Sequence, residues 1–238
     1  MESFAKLPAP IAHLCIEGVI GVGKTSLCQR LADYYNARLV MEHADTNPFL
    51  PIFYHDREHF AFQTQIWFLL SRYAQMSEEL AQQDMFHSAT ITDYLFVKDS
   101  IFARINLSEP ELTLYEQVFA VFKPRIAPPD CVVYLQASTE TLCRRIRKRG
   151  RIYEQRIDED YVDAINNAYN QFFFNYTDSP LLIINTNTID FIDNDADFEE
   201  LVSQIALLKS GTHYYQPLGS IPANQPEKSR ENKGKENQ

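Results

Sequence analysis

Short, almost continuously apolar runs alternate along this chain with longer stretches whose apolar residues recur every three or four positions. The short runs, at residues 13–17, 37–41, 88–92, 131–135 and 181–185, predict strands. Their lack of polar alternation predicts that both faces are covered. The longer stretches predict helices over 24–35, roughly 58–80, 109–122, 139–147, 158–176 and 197–208. The 158–176 stretch is the best marked. Tyr161, Val162, Ile165, Ala168, Tyr169, Phe172, Phe173 and Tyr176 fall at helical spacing behind Asp158, a suitable N-cap, and the aromatic stripe reads as core packing. Strand and helix in alternation predict an α/β fold of three layers, with a five-stranded parallel sheet flanked by helices. From about Lys209 the periodicity fails, and Pro, Gly, Asn, Lys and Glu dominate. The organisation expected is therefore one domain over 1–208 and a disordered tail over 209–238.

Composition narrows the setting. With 32 acidic against 22 basic residues the formal net charge is −10, which opposes general nucleic-acid binding. No apolar run approaches a membrane span, so no membrane partner is expected. The N-terminus lacks the basic-then-apolar layout of a signal peptide. The four cysteines (Cys15, Cys28, Cys131 and Cys143) show no paired spacing and read as reduced core residues. Both features predict a cytoplasmic protein. Yet seven of the 22 basic residues crowd between Arg144 and Arg156, with Glu154 the sole acid among them. An acidic protein with one dense cationic segment predicts a small polyanionic ligand held at one place.

Three of the chain's seven glycines stand within six residues, between the first apolar run and the first helix. The stretch Gly18, Val19, Ile20, Gly21, Val22, Gly23, Lys24, Thr25 and Ser26 matches G-x-x-x-x-G-K-[ST] followed by the helix. Glycines let consecutive backbone N–H groups turn inward around an anion, and a helix N-terminus adds unpaired donors and partial positive charge. In that pattern Lys24 would reach the β- and γ-phosphates, and the Thr25 hydroxyl would ligate Mg²⁺. Strand, loop and helix in this order predict binding of a nucleoside triphosphate.

A positioned water suits a hydrolase, whereas a closing cationic lid suits transfer to another molecule. The segment from about 144 to 156 fits a lid, with Arg145, Arg149 and Arg151 around Gly150 between two helices. Glu42 and Asp93 close the second and third predicted strands, at the sheet edge where open parallel sheets bind ligands. With Thr25 they could surround Mg²⁺ and an acceptor hydroxyl, and Asp93 is the candidate metal carboxylate.

These residues, with the blocks "MEHADTNPFLPIFYHD", "FQTQIWFLLSR", "DYLFVKDSIFA" and "RGRIYEQ" in order, resemble the deoxyribonucleoside kinases over about 13–208. The resemblance implies transfer of the ATP γ-phosphate to a deoxynucleoside 5′-hydroxyl, with deoxyadenosine, deoxycytidine or deoxyguanosine favoured over thymidine, and a homodimer. It makes Glu42 the carboxylate that takes the hydroxyl proton, Tyr54 and Glu154 the pair at the sugar 3′-hydroxyl, and Gln65 the reader of the base edge. It places Arg72 near the base, Phe102 stacked under it, and Arg145, Arg149 and Arg151 in the lid. The sequence also departs from the pattern. Many members have an arginine after the acid of strand three, to pair with the strand-two carboxylate, and this chain has Tyr94. The run from there to Phe102 is one residue shorter, which leaves Asp99 unassigned. Two rivals share much of this pattern. One is a nucleoside monophosphate kinase of the thymidylate kinase type, disfavoured by the tyrosine–glutamate pair. The other is a catalytically silent nucleotide-binding subunit, disfavoured by the presence of every acid, lysine and lid arginine.

Overall fold

The computed structural model describes residues 5–8, 10–79, 86–151, 154 and 157–217. Its centre is a parallel sheet in the order β2-β3-β1-β4-β5-β6. The strands are β1 (His13–Gly18), β2 (Arg38–Val40), β3 (Thr90–Thr92), β4 (Cys131–Gln136), β5 (Leu181–Asn185) and β6 (Thr212–Tyr215). The helices are α1 (Lys24–Tyr35), α2 (Leu50–Phe53), α3 (Arg57–Glu79), α4 (Lys98–Asn106), α5 (Glu109–Phe122), α6 (Thr139–Arg149), α7 (Glu159–Phe174) and α8 (Asp195–Leu207).

The three-layer α/β expectation holds, with one correction: among the described residues the sheet has six strands, not five. The sixth, Thr212–Tyr215, lies in the segment the sequence places in a disordered tail. It pairs with β5 through its backbone while its side chains stay largely exposed, so no apolar run announces it. Residues 218–238 of that expected tail lie outside the described residues.

Local chemistry sets the helix ends. Asp158 accepts the Tyr161 N–H at 2.7 Å and caps α7, Ser138 caps α6, and Ser108 with Glu111 forms a capping box on α5. The aromatic stripe of α7 packs on the sheet as expected, with Phe173 stacked on Tyr134 at 4.2 Å between centroids. All four cysteines are buried and free. Helix α4 was not legible because its cap residue, Val97, offers no side-chain acceptor, and two of its inward residues are Lys98 and Asp99.

Strand β1 sits mid-sheet, with β3 on one side and β4 on the other. The chain therefore winds in opposite senses from it. The loop leaving β1 lies where that order reverses, which is where such sheets leave a crevice.

Candidate active site

The glycine loop packs tightly against α6. Gly21 has φ +86°, and a Cβ there would stand 2.7 Å from Ile146 Cγ1 and 3.0 Å from the Leu142 carbonyl oxygen. Gly23, at φ +107°, starts α1 without a side-chain cap, so the first-turn N–H groups of the helix have no acceptor from their own cap. Val19 and Val22 turn into the core and contribute backbone only. Lys24 Nζ donates to the carbonyls of Gly18 at 2.6 Å and Val19 at 3.3 Å. Burial, then the nearby Lys98, lower its pKa, and the charges of Glu17, Asp93 and Glu42 oppose this.

The strand-end carboxylates meet as expected. Asp93 Oδ1 accepts the backbone N–H of Glu42 at 2.6 Å, which ties the ends of β3 and β2 together. Glu42 Oε1 receives Arg72 Nε at 2.7 Å and Nη2 at 2.5 Å, and Oε2 receives Lys98 Nζ at 2.8 Å. Burial alone would raise the Glu42 pKa, but the charges of Arg72 and Lys98 outweigh it and hold the carboxyl at about 2. Burial raises the pKa of Asp93. Arg72 also bonds Asp99, which accepts the Tyr115 hydroxyl at 2.5 Å, and its guanidinium lies over the Phe68 ring at 4.7 Å. Against burial, Glu42 and Asp99 raise the Arg72 pKa further. Behind the loop, Glu17 accepts the N–H groups of Gly18 at 2.9 Å and Leu95 at 2.8 Å, pinning the end of β1 to the turn after β3.

The three arginines of the expected lid do different things. Arg145 Nη1 donates to the Val22 carbonyl at 3.2 Å and Thr186 Oγ1 at 3.1 Å, and Nη2 to the Thr186 carbonyl at 2.7 Å. It is thus fastened to the glycine loop and the end of β5. Arg149 reaches Glu154 with Nε at 3.0 Å and Nη2 at 2.6 Å. Arg151 lies 3.4 Å from Asp45 and 3.8 Å from Glu154. Residues 152, 153, 155 and 156 of the expected lid lie outside the described residues.

A cavity of about 390 Å³ joins these parts, within the range of small-molecule sites. Every candidate named from the sequence lines it except Val19 and Val22. Tyr54, Gln65, Arg72, Phe102 and Glu154 line it, as do Tyr161, Ile165 and Tyr169 of the α7 stripe. Phe102 meets Tyr169 edge-on at 6.0 Å. Gln65 Nε2 and Thr64 Oγ1 are buried there with no hydrogen-bond partner. Sequence reasoning missed Lys98, Asp99, Glu17 and Thr64. The signal for the first two was a charged pair inside the otherwise apolar run "YLFVKDSIF", and for Glu17 an acid inside an apolar strand.

Comparison with known proteins follows the same outline. The family model "Deoxynucleoside kinase" matches residues 14–209. A deoxyguanosine kinase of Lactobacillus acidophilus is 31% identical over 207 residues, covering 81% of this chain and 88% of the relative. A deoxyguanosine kinase of Bacillus subtilis is 29% identical, covering 81% and 95%. The solved structure of deoxyadenosine kinase from M. mycoides, with products dCMP and dCDP bound, superposes with TM-score 0.70 at 25% identity over 81% of this chain and 98% of that one. Glycine loop, paired carboxylates and family match agree, and the chain belongs to the deoxynucleoside kinase family.

Proposed function

We propose that the protein transfers the γ-phosphoryl group of ATP to the 5′-hydroxyl of a deoxyribonucleoside, giving the deoxynucleoside monophosphate and ADP. The observation that carries this reading is the placing of Glu42: an ionised carboxylate lies in the same cavity as the glycine loop, and the partnerless Gln65 amide lines that cavity too. In the step, the 5′-oxygen bonds to the γ-phosphorus as the bond from that phosphorus to the β–γ bridging oxygen breaks. ADP leaves with the electron pair, and the hydroxyl proton passes to Glu42 and then to water.

A carboxyl held at about 2 is a weak base. That suits a loose, metaphosphate-like transition state, in which the proton leaves late and orientation of the hydroxyl matters more than basicity. A carboxylate has about four lone-pair positions. Arg72 takes two on Oε1 and Lys98 one on Oε2, so the acceptor hydroxyl would approach Oε2.

The loop amides and Lys24 would hold the triphosphate, with Arg149 and Arg151 closing over it and excluding water. Arg145 would hold the loop. Tyr54 and Glu154 would receive the sugar 3′-hydroxyl, Gln65 the base edge and Phe102 its face. An amide that can both donate and accept suits more than one base. The Thr25 hydroxyl and Asp93 carboxylate both line the cavity beside the loop, and such hard oxygens, completed by substrate phosphates, fit Mg²⁺. The ion would neutralise charge on the phosphates; Thr25 and Asp93 would hold it.

A kcat/KM panel over the four deoxynucleosides with Mg²⁺ and ATP tests the reading. Turnover of at least one is expected, with purines or deoxycytidine ahead of thymidine; no turnover of any rejects it. Glu42→Gln should lower kcat at least ~100-fold with a much smaller change in deoxynucleoside affinity. The reverse pattern would make Glu42 a binding residue only.

A further inference from the structure

Lys98 is a lysine almost wholly buried at the start of α4, and its ammonium ends against the carboxylate on which the proposed reaction turns. A lysine is rarely buried without a task, because its ammonium must be desolvated. Here the surroundings are built for it. Its Nζ lies 5.9 Å from the centroid of the Tyr94 ring. The Tyr94 hydroxyl donates to Gln75 Oε1 at 2.9 Å, and Gln75 Nε2 donates to the Met41 carbonyl at 2.8 Å, one residue before Glu42. Tyr94 therefore walls the lysine and, through Gln75, steadies the backbone that carries Glu42.

The charges point the same way. Glu42 and Asp93 line the cavity with Lys24, Arg72 and Lys98, and two buried acids stand close to these cations: Glu17 acts on Lys98 and Asp99 pairs with Arg72. Lys24 is bonded to loop carbonyls. Arg72 is shared between Glu42 and Asp99 and reaches only Oε1 of Glu42. The Oε2 oxygen, the one with room for an acceptor hydroxyl, is fixed by Lys98.

We propose that Lys98 is a positioning residue of the transfer reaction, holding Glu42 Oε2 in the pose that receives the acceptor hydroxyl while Tyr94 and Gln75 hold the backbone behind it. The claim rests on Glu42 being the acceptor carboxylate. Tyr94 replaces the arginine expected from the family resemblance at that sequence position, and Lys98 brings a cation to the same carboxylate from the next helix. Without Lys98 the carboxylate keeps one guanidinium and can turn about its own side-chain bonds. A misplacement of about 1 Å in a reacting geometry costs on the order of 100-fold in rate.

The test is a cycle of Lys98→Met and Glu42→Gln, with Lys98→Arg and Lys98→Gln alongside. Lys98→Met should lower kcat about 100-fold with the deoxynucleoside KM within about threefold, and should cost less than about threefold more in the Glu42→Gln background. Lys98→Arg should exceed Lys98→Gln in kcat by about tenfold, since it keeps the charge. This comparison decides the matter if the methionine variant does not fold. A kcat within threefold of wild type, equal costs in the two backgrounds, or equal rates for arginine and glutamine would each overturn the proposal. A crystal structure of Lys98→Met, or of Lys98→Gln if that is the variant that folds, reads the same claim without turnover: a displaced Glu42 carboxylate is expected, and an unmoved one overturns it. Because that readout needs no substrate, failure of the wild-type panel and failure of the Lys98 claim remain distinct.

Discussion

Gly21→Ala tests the link between the glycine loop and the lid helix. The alanine Cβ would stand 2.7 Å from Ile146 Cγ1 and 3.0 Å from the Leu142 carbonyl oxygen, at a backbone φ of +86°. A left-handed conformation costs an alanine about 1–2 kcal/mol, and forcing a methyl into a filled site costs about 1–3 kcal/mol. Their sum is about 2–5 kcal/mol. For a chain of this size each kcal/mol moves Tm by about 2–4 °C, so a fall of roughly 4–20 °C is expected in a thermal scan. The clash can be separated from the backbone strain with Ile146→Ala. That change alone should cost about 2–5 kcal/mol, since Ile146 is buried. In the double variant the side-chain clash is gone, while the positive φ and the Leu142 carbonyl remain. The double loss should therefore fall short of the sum of the singles by about 1–2 kcal/mol. Additivity within about 0.5 kcal/mol would refute the claim that loop and lid helix are locked by this contact.

Burial holds the His13 pKa at about 4 despite the opposing charge of Asp130, against 6.5 for a free side chain. The ring is neutral in the fold, so its contribution is complete above pH 6.5 and is lost as the pH falls through about 4. At about 1.36 kcal/mol per pH unit this is about 3 kcal/mol. His13→Gln should flatten urea stability between pH 7 and pH 4.5 relative to wild type, and parallel curves would reject the assignment. Glu154→Ala removes the partner of Arg149 and the proposed 3′-hydroxyl contact. It should lower the preference for deoxynucleosides over their 3′-deoxy analogues at least ~10-fold in kcat/KM; an unchanged ratio would place the 3′-hydroxyl elsewhere.

What could be read from the sequence depended on whether a feature is local. The glycine loop is contiguous, and α1 and α5 begin and end where periodicity places them. Glu42 and Asp93 were legible because strand ends converge by topology. Lys98 and Asp99 were not, because burial of two charges makes sense only beside Arg72 and Glu42, which are distant in sequence. The division among the lid arginines was equally hidden: nothing in "RRIRKRGR" distinguishes Arg145, which grips backbone carbonyls, from Arg149, which grips a carboxylate. Strand β6 escaped because backbone pairing, not burial of side chains, holds it.

The two ends of the cavity are held by different physics. At the acceptor end the network of Glu42, Arg72, Asp99 and Lys98 joins the end of β2 to α3 and α4, and the Tyr115 hydroxyl extends it to α5. Tyr94 and Tyr115 from that neighbourhood belong to an apolar cluster with Leu69, Met76, Phe96 and Ala103. Removing one member of a buried ionic set strands its partners in low dielectric, which costs more than the set contributes when intact. Changes there should disturb stability and chemistry together. In the segment of the expected lid, Arg151 is 39% and its partner Asp45 65% exposed, so water can replace either, whereas Glu154, the partner of Arg149, is buried. The exposed Arg151–Asp45 pair can break and re-form at little cost, as the proposed closing over ATP would require. On the proposed reading, rigidity is concentrated where the hydroxyl would be aimed, and the exposed pair of Arg151 with Asp45 stands where the phosphates would pass.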